Sequence, residues 1–488
     1  MTPTGEGLLT ASARRLAQWI REGRVTSRDV VEAHLRRIDE VNPALNAVVA
    51  SRAEAARREA DAADARLRAE GPSRLPPLHG VPCTIKEAFA VSGMPNTSGL
   101  VARKHVRATE DAPTVARLRA AGAIPLGVTN VSELCLWMES DNRVWGRSNN
   151  PYDVTRTVGG SSGGEGAIVG AGGSPFGLGS DIGGSIRLPA FFNGVFGHKP
   201  SPGLVPNEGQ YPVASPGVRL LGTGPLARRA EDLPLLLSVL SARPEPDTSL
   251  DARRLTVLVL EGDGHIRVSD DLLDAQAQAA DVLGRRGARV KTVHLEGLGG
   301  VFDMWAAAME EASESSFGDL LGQGVPLNPL VELGRFLVGR SPYTFPAVGL
   351  LALEGLLSRF EGRKAKALEA AAQLEARVRS MLGPDTVLLY PPYPEVAPKH
   401  GRPMLFPTRF VYTGLFNLLG LPVTQVPMGL DAQGVPLGVQ VAAAEGQDAR
   451  TLAVAQWLEE DCGGWVWPEV PGVRRTVKAP AARLQPAA

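Results

Sequence analysis

Cysteine is nearly absent from this chain. There are three in 488 residues, Cys83, Cys135 and Cys462, widely spaced and odd in number. No Cys-x-x-Cys pair occurs, which excludes a disulfide framework and the common zinc and redox motifs. Lysine is scarce as well, eight against 43 arginines, and no basic tract interrupts a formal net charge of −1. That balance does not suit a polyanion, and no aromatic RNA-binding pattern is present, so no nucleic-acid partner is expected. The longest apolar run, Pro346 to Leu357, contains Glu354 and is too short to span a bilayer. No basic segment followed by an apolar one opens the chain, so no signal peptide is read there. Together these absences point to a cytoplasmic protein without a transmembrane segment. With 44% hydrophobic residues, a chain of this length can bury a large core.

Glycine is plentiful, and it is concentrated. From Gly159 to Gly184, 12 of 26 positions are glycine. A flexible linker is also glycine-rich, but this stretch interleaves Ile168, Val169, Phe176, Leu178 and Ile182, which favour burial. Buried glycine-dense backbone means tight turns, or main chain brought close to another group. Ser161 and Ser185 each follow a Gly-Gly pair. A serine so placed has backbone N–H groups free to converge on one point, which an oxyanion hole requires.

Elsewhere short apolar strands alternate with helices. Thr26 to Asp29 reads as a capping box ahead of Val30, Val31, Leu35 and Ile38 at helical spacing. Strand Val81–Ile85 precedes helix Ala112–Ala121 and strand Ala123–Val128. The rhythm resumes at Leu255–Leu260, Asp270–Arg286 and Val290–His294. It returns at Thr386–Tyr390, Phe410–Leu419, Val423–Val426, Val435–Ala442 and Asp448–Glu460. This pattern predicts an α/β fold: one domain over 1–488, with a mixed, mostly parallel central sheet covered by helices on both faces. Residues 300–380 break the rhythm as a mostly helical insertion. The tail from about 473 is expected to be disordered.

Lys86 ends the buried-strand pattern Val81-Pro82-Cys83-Thr84-Ile85. Burial there lowers its pKa and makes a neutral, basic amine available; the plainer alternative is a lysine snorkelling from a strand end. Lys199, before Pro200, reads as structural. Gly159-Gly160-Ser161-Ser162-Gly163 matches Gly-x-Ser-x-Gly, which leaves open an α/β-hydrolase elbow with His198, His265, His294 or His400 as base. Phosphate-loop and dinucleotide fingerprints are not met, because Gly170 comes one position late for the second. No histidine pair has metal-ligand spacing.

Three blocks closely resemble the amidase signature family: His79-Gly80-Val81-Pro82-Cys83-Thr84-Ile85-Lys86-Glu87, Gly159-Gly160-Ser161-Ser162-Gly163-Gly164, and Gly179-Ser180-Asp181-Ile182-Gly183-Gly184-Ser185-Ile186-Arg187-Leu188-Pro189-Ala190. The signature core spans about 75–205. Gly164-Glu165-Gly166-Ala167 and Gly93-Met94-Pro95-Asn96-Thr97-Ser98-Gly99 are most similar to its fatty acid amide hydrolase branch. Glu87 stands where many members carry Asp. Leu188 stands where amidotransferase subunits often carry Gln.

The resemblance implies a role for each motif residue. Ser185 is the nucleophile, Ser161 the bridging serine after a cis peptide, and Lys86 the terminal base. The N–H groups of Ile182, Gly183, Gly184 and Ser185 form the oxyanion hole. Ser162, Asp181 and Arg187 support the loop. A site-lining backbone segment falls near Cys135 by gapless counting from Gly146 and Asn150. The implied reaction cleaves a small-molecule amide or ester through an acyl-enzyme, with no metal or organic cofactor. A carbamate or aryl-ester hydrolase on the same triad, and an amidotransferase A-type subunit working only in a complex, are the alternatives. The resemblance also leaves a homodimer open. Helical 330–360 either covers an acyl channel, contacts a membrane or packs as ordinary structure.

Overall fold

Thirteen strands form in chain order: β1 Val48–Ser51, β2 Pro82–Lys86, β3 Ile124–Thr129, β4 Asp141–Asn142, β5 Gly146–Arg147, β6 Phe176–Asp181, β7 Phe196–Lys199, β8 Gly222–Ala227, β9 Thr256–Val259, β10 Arg289–Thr292, β11 Thr386–Tyr390, β12 Val423–Leu430 and β13 Pro436–Ala443. They come from a computed structural model that describes residues 5–213, 218–357 and 361–473. Strands β4 and β5 make a small hairpin; the other eleven form one sheet, ordered β1-β3-β2-β6-β8-β7-β12-β13-β11-β9-β10. The expected mixed sheet is present, but parallel pairing covers less of it than the strand–helix rhythm implied. It is confined to two blocks, β3-β2-β6 and β11-β9-β10. From β6 through β11 the neighbours run antiparallel. Strands β12 and β13 are joined by a short turn, which imposes antiparallel pairing.

Most of the expected elements lie within a few residues of their positions. Thr26 caps helix Ser27–Leu45, with the reciprocal bond from its own N–H to Asp29 in place. Asp64, on the charge-laced helix Ala53–Glu70, adds a second cap by accepting from Ser27 N at 2.7 Å and Arg28 N at 3.1 Å. Residues 300–380 are mostly helical, with helices Val301–Ala312, Phe317–Gly322, Pro329–Leu337, Phe345–Leu357 and Glu361–Met381. The tail beyond 473 lies outside the described residues. No helix among the described residues is long and apolar enough to cross a membrane.

The glycine-dense region supplies the centre of this fold. Helix Gly163–Gly170 is half glycine and wholly buried, against the low helix propensity of that residue. Its neighbours explain the composition. A Cβ at Gly163 would run into Ser140 Oγ, and one at Gly177 into the Glu165 carboxyl. At Gly164 a Cβ would collide with Asn130 N and lie 2.7 Å from Ala47 O, both main-chain atoms. Overpacking of this kind costs about 3 kcal/mol, while alanine regains about 1 kcal/mol of helix propensity. Gly164→Ala is therefore expected to lose about 2 kcal/mol, read from its denaturation midpoint. An unchanged midpoint would show that the two abutting segments yield freely.

Candidate active site

Strand alternation puts Cys83 and Ile85 of β2 into the main apolar core and turns Thr84 and Lys86 to the other face. Lys86 is fully buried. Its Nζ lies 2.7 Å from Ser161 Oγ and 3.0 Å from Ser180 Oγ. Burial moves the amine below its ordinary pKa, although the Cys135 thiol beside it and the carboxylates of Asp181 and Glu165 pull the other way. The plain snorkelling alternative does not hold, because no part of the side chain reaches solvent.

Ser161 follows a cis Gly160–Ser161 peptide. A Cβ on Gly160 would meet the backbone at Trp137 O and lie 2.9 Å from Glu139 N, so this position takes only glycine. The Ser162 N–H donates to Ser185 O at 3.2 Å and joins the two serine motifs. The Ser162 hydroxyl donates to Ser180 O at 3.3 Å. Ser185 is 8% exposed where Ser161 is 1% exposed, so Ser185 is the more accessible hydroxyl. Among the described residues no hydrogen bond links their side chains.

The loop from 182 to 186 is held from beneath by Asp181. Its carboxylate accepts from Gly184 N at 2.7 Å, Ile186 N at 3.1 Å, and Arg187 Nε and Nη2 at 3.0 Å each. Burial alone would raise this carboxyl, but the Arg187 charge and its hydrogen bonds, together with Asn417, hold it at about 2. Arg187 also donates to Gln440 Oε1 at 2.8 Å and Asn417 Oδ1 at 2.6 Å. The network is buried, yet every charge in it is paired and hydrogen-bonded, as a buried ion pair must be.

This arrangement corrects one expectation. The Gly184 N–H is taken up by Asp181, so it does not face an oxyanion. The N–H groups of Ile182, Gly183 and Ser185 have no protein acceptor among the described residues, and these three stay available.

Cys135 lies beside Lys86. Its Sγ is 3.3 Å from Ser98 Oγ. It and Leu134 occupy the left-handed region at φ 60° and 52°, a strained conformation for residues with a side chain. Glu87 fixes the facing loop by accepting from Thr97 N at 2.6 Å and Ser98 N at 2.8 Å.

The histidine-based alternative fails on geometry. His198 is buried against Thr424 Oγ1 at 2.9 Å and Asp448 Oδ1 at 3.2 Å, and His400 Nε2 bonds Val154 O at 3.1 Å. Among the described residues no histidine hydrogen-bonds to Ser161 or Ser185. Lys199 is buried and lowered by desolvation to about 7, but its Nζ is spent on Pro200 O at 3.1 Å. No group of three His, Cys, Asp or Glu side chains converges as metal ligands among the described residues.

Some neighbours of the site have no role implied by the resemblance. Ser180 stands in the third motif block, and its contact with Lys86 is not signalled there. Glu165 accepts from Thr84 Oγ1 at 2.6 Å and Thr129 Oγ1 at 2.9 Å, tying β2 to β3 beneath Lys86. Burial pushes its carboxyl up to about 8. Glu133, next to Leu134, accepts from both Thr344 N and Thr344 Oγ1 at 2.8 Å, which fastens the helical insertion to the site. Trp305, Thr413, Asn417 and Gln440 come from distant segments.

Comparison with known proteins agrees with this geometry. The amidase family model matches residues 29–452. Human fatty-acid amide hydrolase 2 is 47% identical over 96% of this chain and 92% of its own length. The A subunit of glutamyl-tRNA(Gln) amidotransferase from Halorhodospira halophila is 33% identical over 90% of this chain and 94% of its own. The solved structure of 6-aminohexanoate cyclic dimer hydrolase complexed with substrate has a TM-score of 0.77 at 26% identity, covering 93% of this chain and 97% of that one. A match that long takes in the buried lysine and both glycine-framed serines, and the chain belongs to the amidase family.

Proposed function

We propose that this enzyme cleaves acyl amides through a covalent acyl-enzyme on Ser185, with Ser161 as proton bridge and Lys86 as base. The observation that carries this reading is the 2.7 Å contact between Lys86 Nζ and Ser161 Oγ in a setting that favours the neutral amine. A neutral amine accepts a proton from the Ser161 hydroxyl along that contact, and an ammonium donates one back. Ser185 attacks the carbonyl carbon while its proton passes through Ser161 to Lys86. The new oxyanion meets the free N–H groups of Ile182, Gly183 and Ser185. As the C–N bond breaks, the leaving amine takes the proton back along the relay. Water then adds to the acyl-enzyme by the same path and releases the acid. Three unpaired cysteines suit work in a reducing cytoplasm.

The acyl group we propose is a long alkyl chain. Support comes from the 47% identity to fatty-acid amide hydrolase 2 and from an apolar cluster beside the site. Helix Phe345–Leu357 packs Ala347, Val348 and Leu351 against Leu100 and Leu134, and Leu134 is the neighbour of Cys135. The test is kcat/KM across acetyl, hexanoyl and decanoyl anilides. Each buried methylene contributes up to about 0.8 kcal/mol, roughly fourfold in kcat/KM, until the channel is filled. A flat profile would remove the lipid-amide reading and leave a small-amide, carbamate or aryl-ester hydrolase.

A further inference from the structure

Trp305 lies outside the signature core, on helix Val301–Ala312, yet its indole Nε1 donates to Ile182 O at 2.9 Å. This is a side-chain bond to the main chain of the very loop that carries Ser185. A trans peptide is planar, with its C=O and the following N–H on opposite sides. Holding the Ile182 carbonyl on the Trp305 side therefore turns the Gly183 N–H to the other side, away from the indole. The same logic acts further along the loop. Leu188 N donates to Gly184 O at 2.7 Å, which fixes the opposed direction of the Ser185 N–H.

The carbonyl between these two is less firmly held. Thr413 Oγ1 lies 2.7 Å from Gly183 O and 2.8 Å from Phe410 O, so its single proton is divided between two acceptors. The indole N–H has one acceptor and is not shared. Packing sets its place. The Trp305 and Phe410 rings meet edge to face, with centroids 4.8 Å apart at 75°, and Phe302 meets Phe410 at 6.2 Å and 77°. Both Phe410 and Trp305 abut Gly183, where a Cβ would lie 3.3 Å from the first and 3.4 Å from the second. The indole thus meets the loop through a hydrogen bond and through the Cζ2 part of its ring, while Ile182 and Gly183 keep part of their surface open.

We infer that Trp305 is a positioning residue for the oxyanion hole, aiming the Gly183 N–H through the Ile182 carbonyl. The inference rests on the acyl-enzyme reading above. Its effect falls on the transition state, because the Gly183 N–H is needed where negative charge develops and not where the substrate's chain binds.

The test is Trp305→Phe, which keeps a ring and removes the N–H. Three quantities are compared with the parent enzyme: kcat and KM on a decanoyl anilide, affinity for the matching trifluoromethyl ketone, and the melting temperature. The ketone adds Ser185 and presents an oxyanion. We expect kcat to fall about tenfold, KM to stay within twofold, and ketone affinity to fall in proportion to kcat, with melting unchanged. An unchanged kcat overturns the inference. So does a kcat loss without a matching loss of ketone affinity, since a purely structural role produces that pattern. If the phenylalanine variant does not fold, benzothienylalanine at 305 replaces the N–H by sulfur in the same ring shape and is read against the same outcomes. Parent turnover and Ser185 labelling are measured alongside. A parent that cleaves no amide defeats the acyl-enzyme reading, whereas an active parent with an equally active variant defeats only the role of Trp305.

Discussion

Ser185→Ala is expected to remove amide turnover by about 10³-fold or more, the scale on which triad knockouts fall in other serine hydrolases. Two hydroxyls compete for the nucleophile's role, and their surroundings separate them. Ser161 is hydrogen-bonded to Lys86 and closed off from solvent. Ser185 is the more exposed of the two hydroxyls and lies on the loop whose Ile182, Gly183 and Ser185 N–H groups are unclaimed. A fluorophosphonate should therefore label Ser185, identified by peptide mapping, and should leave the Ser185→Ala protein unlabelled. Labelling at Ser161 in the parent would reverse the order of the relay and overturn the assignment. Because Asp181 and Arg187 hold the loop through backbone groups and not through the Ser185 hydroxyl, the alanine variant should keep the parent's melting temperature.

Lys86→Ala is expected to be nearly as damaging to amides, by about 10²–10⁴-fold, the range that general acid–base catalysis contributes. An activated ester should suffer less, because its leaving group departs without a proton. The sign of the pH dependence follows from burial. The charged form is penalised, so Lys86 sheds its proton at a lower pH than a lysine in water, near 10.4. The active form is the neutral one, so kcat/KM should rise with pH through an apparent pKa below that figure. The limb belongs to the lysine and the serines together. Near-normal amide turnover by Lys86→Ala would defeat the assignment, as would a rising limb that survives the substitution.

Much of this site was legible because its local chemistry is written in consecutive residues. Two Gly-Gly-Ser runs and a lysine closing a buried strand single out Ser161, Ser185 and Lys86, but on their own they leave a snorkelling lysine and a histidine-based elbow open; the triad roles come from the resemblance to the amidase signature family. The rhythm of apolar runs placed β2, β3, β9, β11, β12 and β13 within a few residues. Strands β6 and β8 were harder. Their sequences, FGLGSD and GTGPLA, hold little of the β-branched character that marks a strand; tertiary contact makes them strands, since Glu165, Ser162 and Leu226 fill the space over Gly177 and Gly179 of β6, and Lys199, His198 O and Pro200 that over Gly222 and Gly224 of β8. Gly184 was misread for a related reason. The resemblance implies a set of N–H groups for the oxyanion hole, but does not disclose that a carboxylate three residues earlier claims one of them. Trp305, Thr413, Asn417 and Gln440 were unreadable, because nothing in their own neighbourhoods refers to residues more than a hundred positions away.

That distance has a consequence for how the enzyme comes into being. Arg187 is anchored by Asn417 and Gln440, 230 and 253 positions further along the chain. A ribosome that has finished the whole signature core has therefore made Asp181 and Arg187 but not the Asn417 and Gln440 side chains that anchor them. Contacts of such long range close late in folding, after the N-terminal part of a large chain has already begun to collapse. Amide turnover is therefore expected to return late in refolding, with the docking of β13, which carries Gln440, and not with the first collapse.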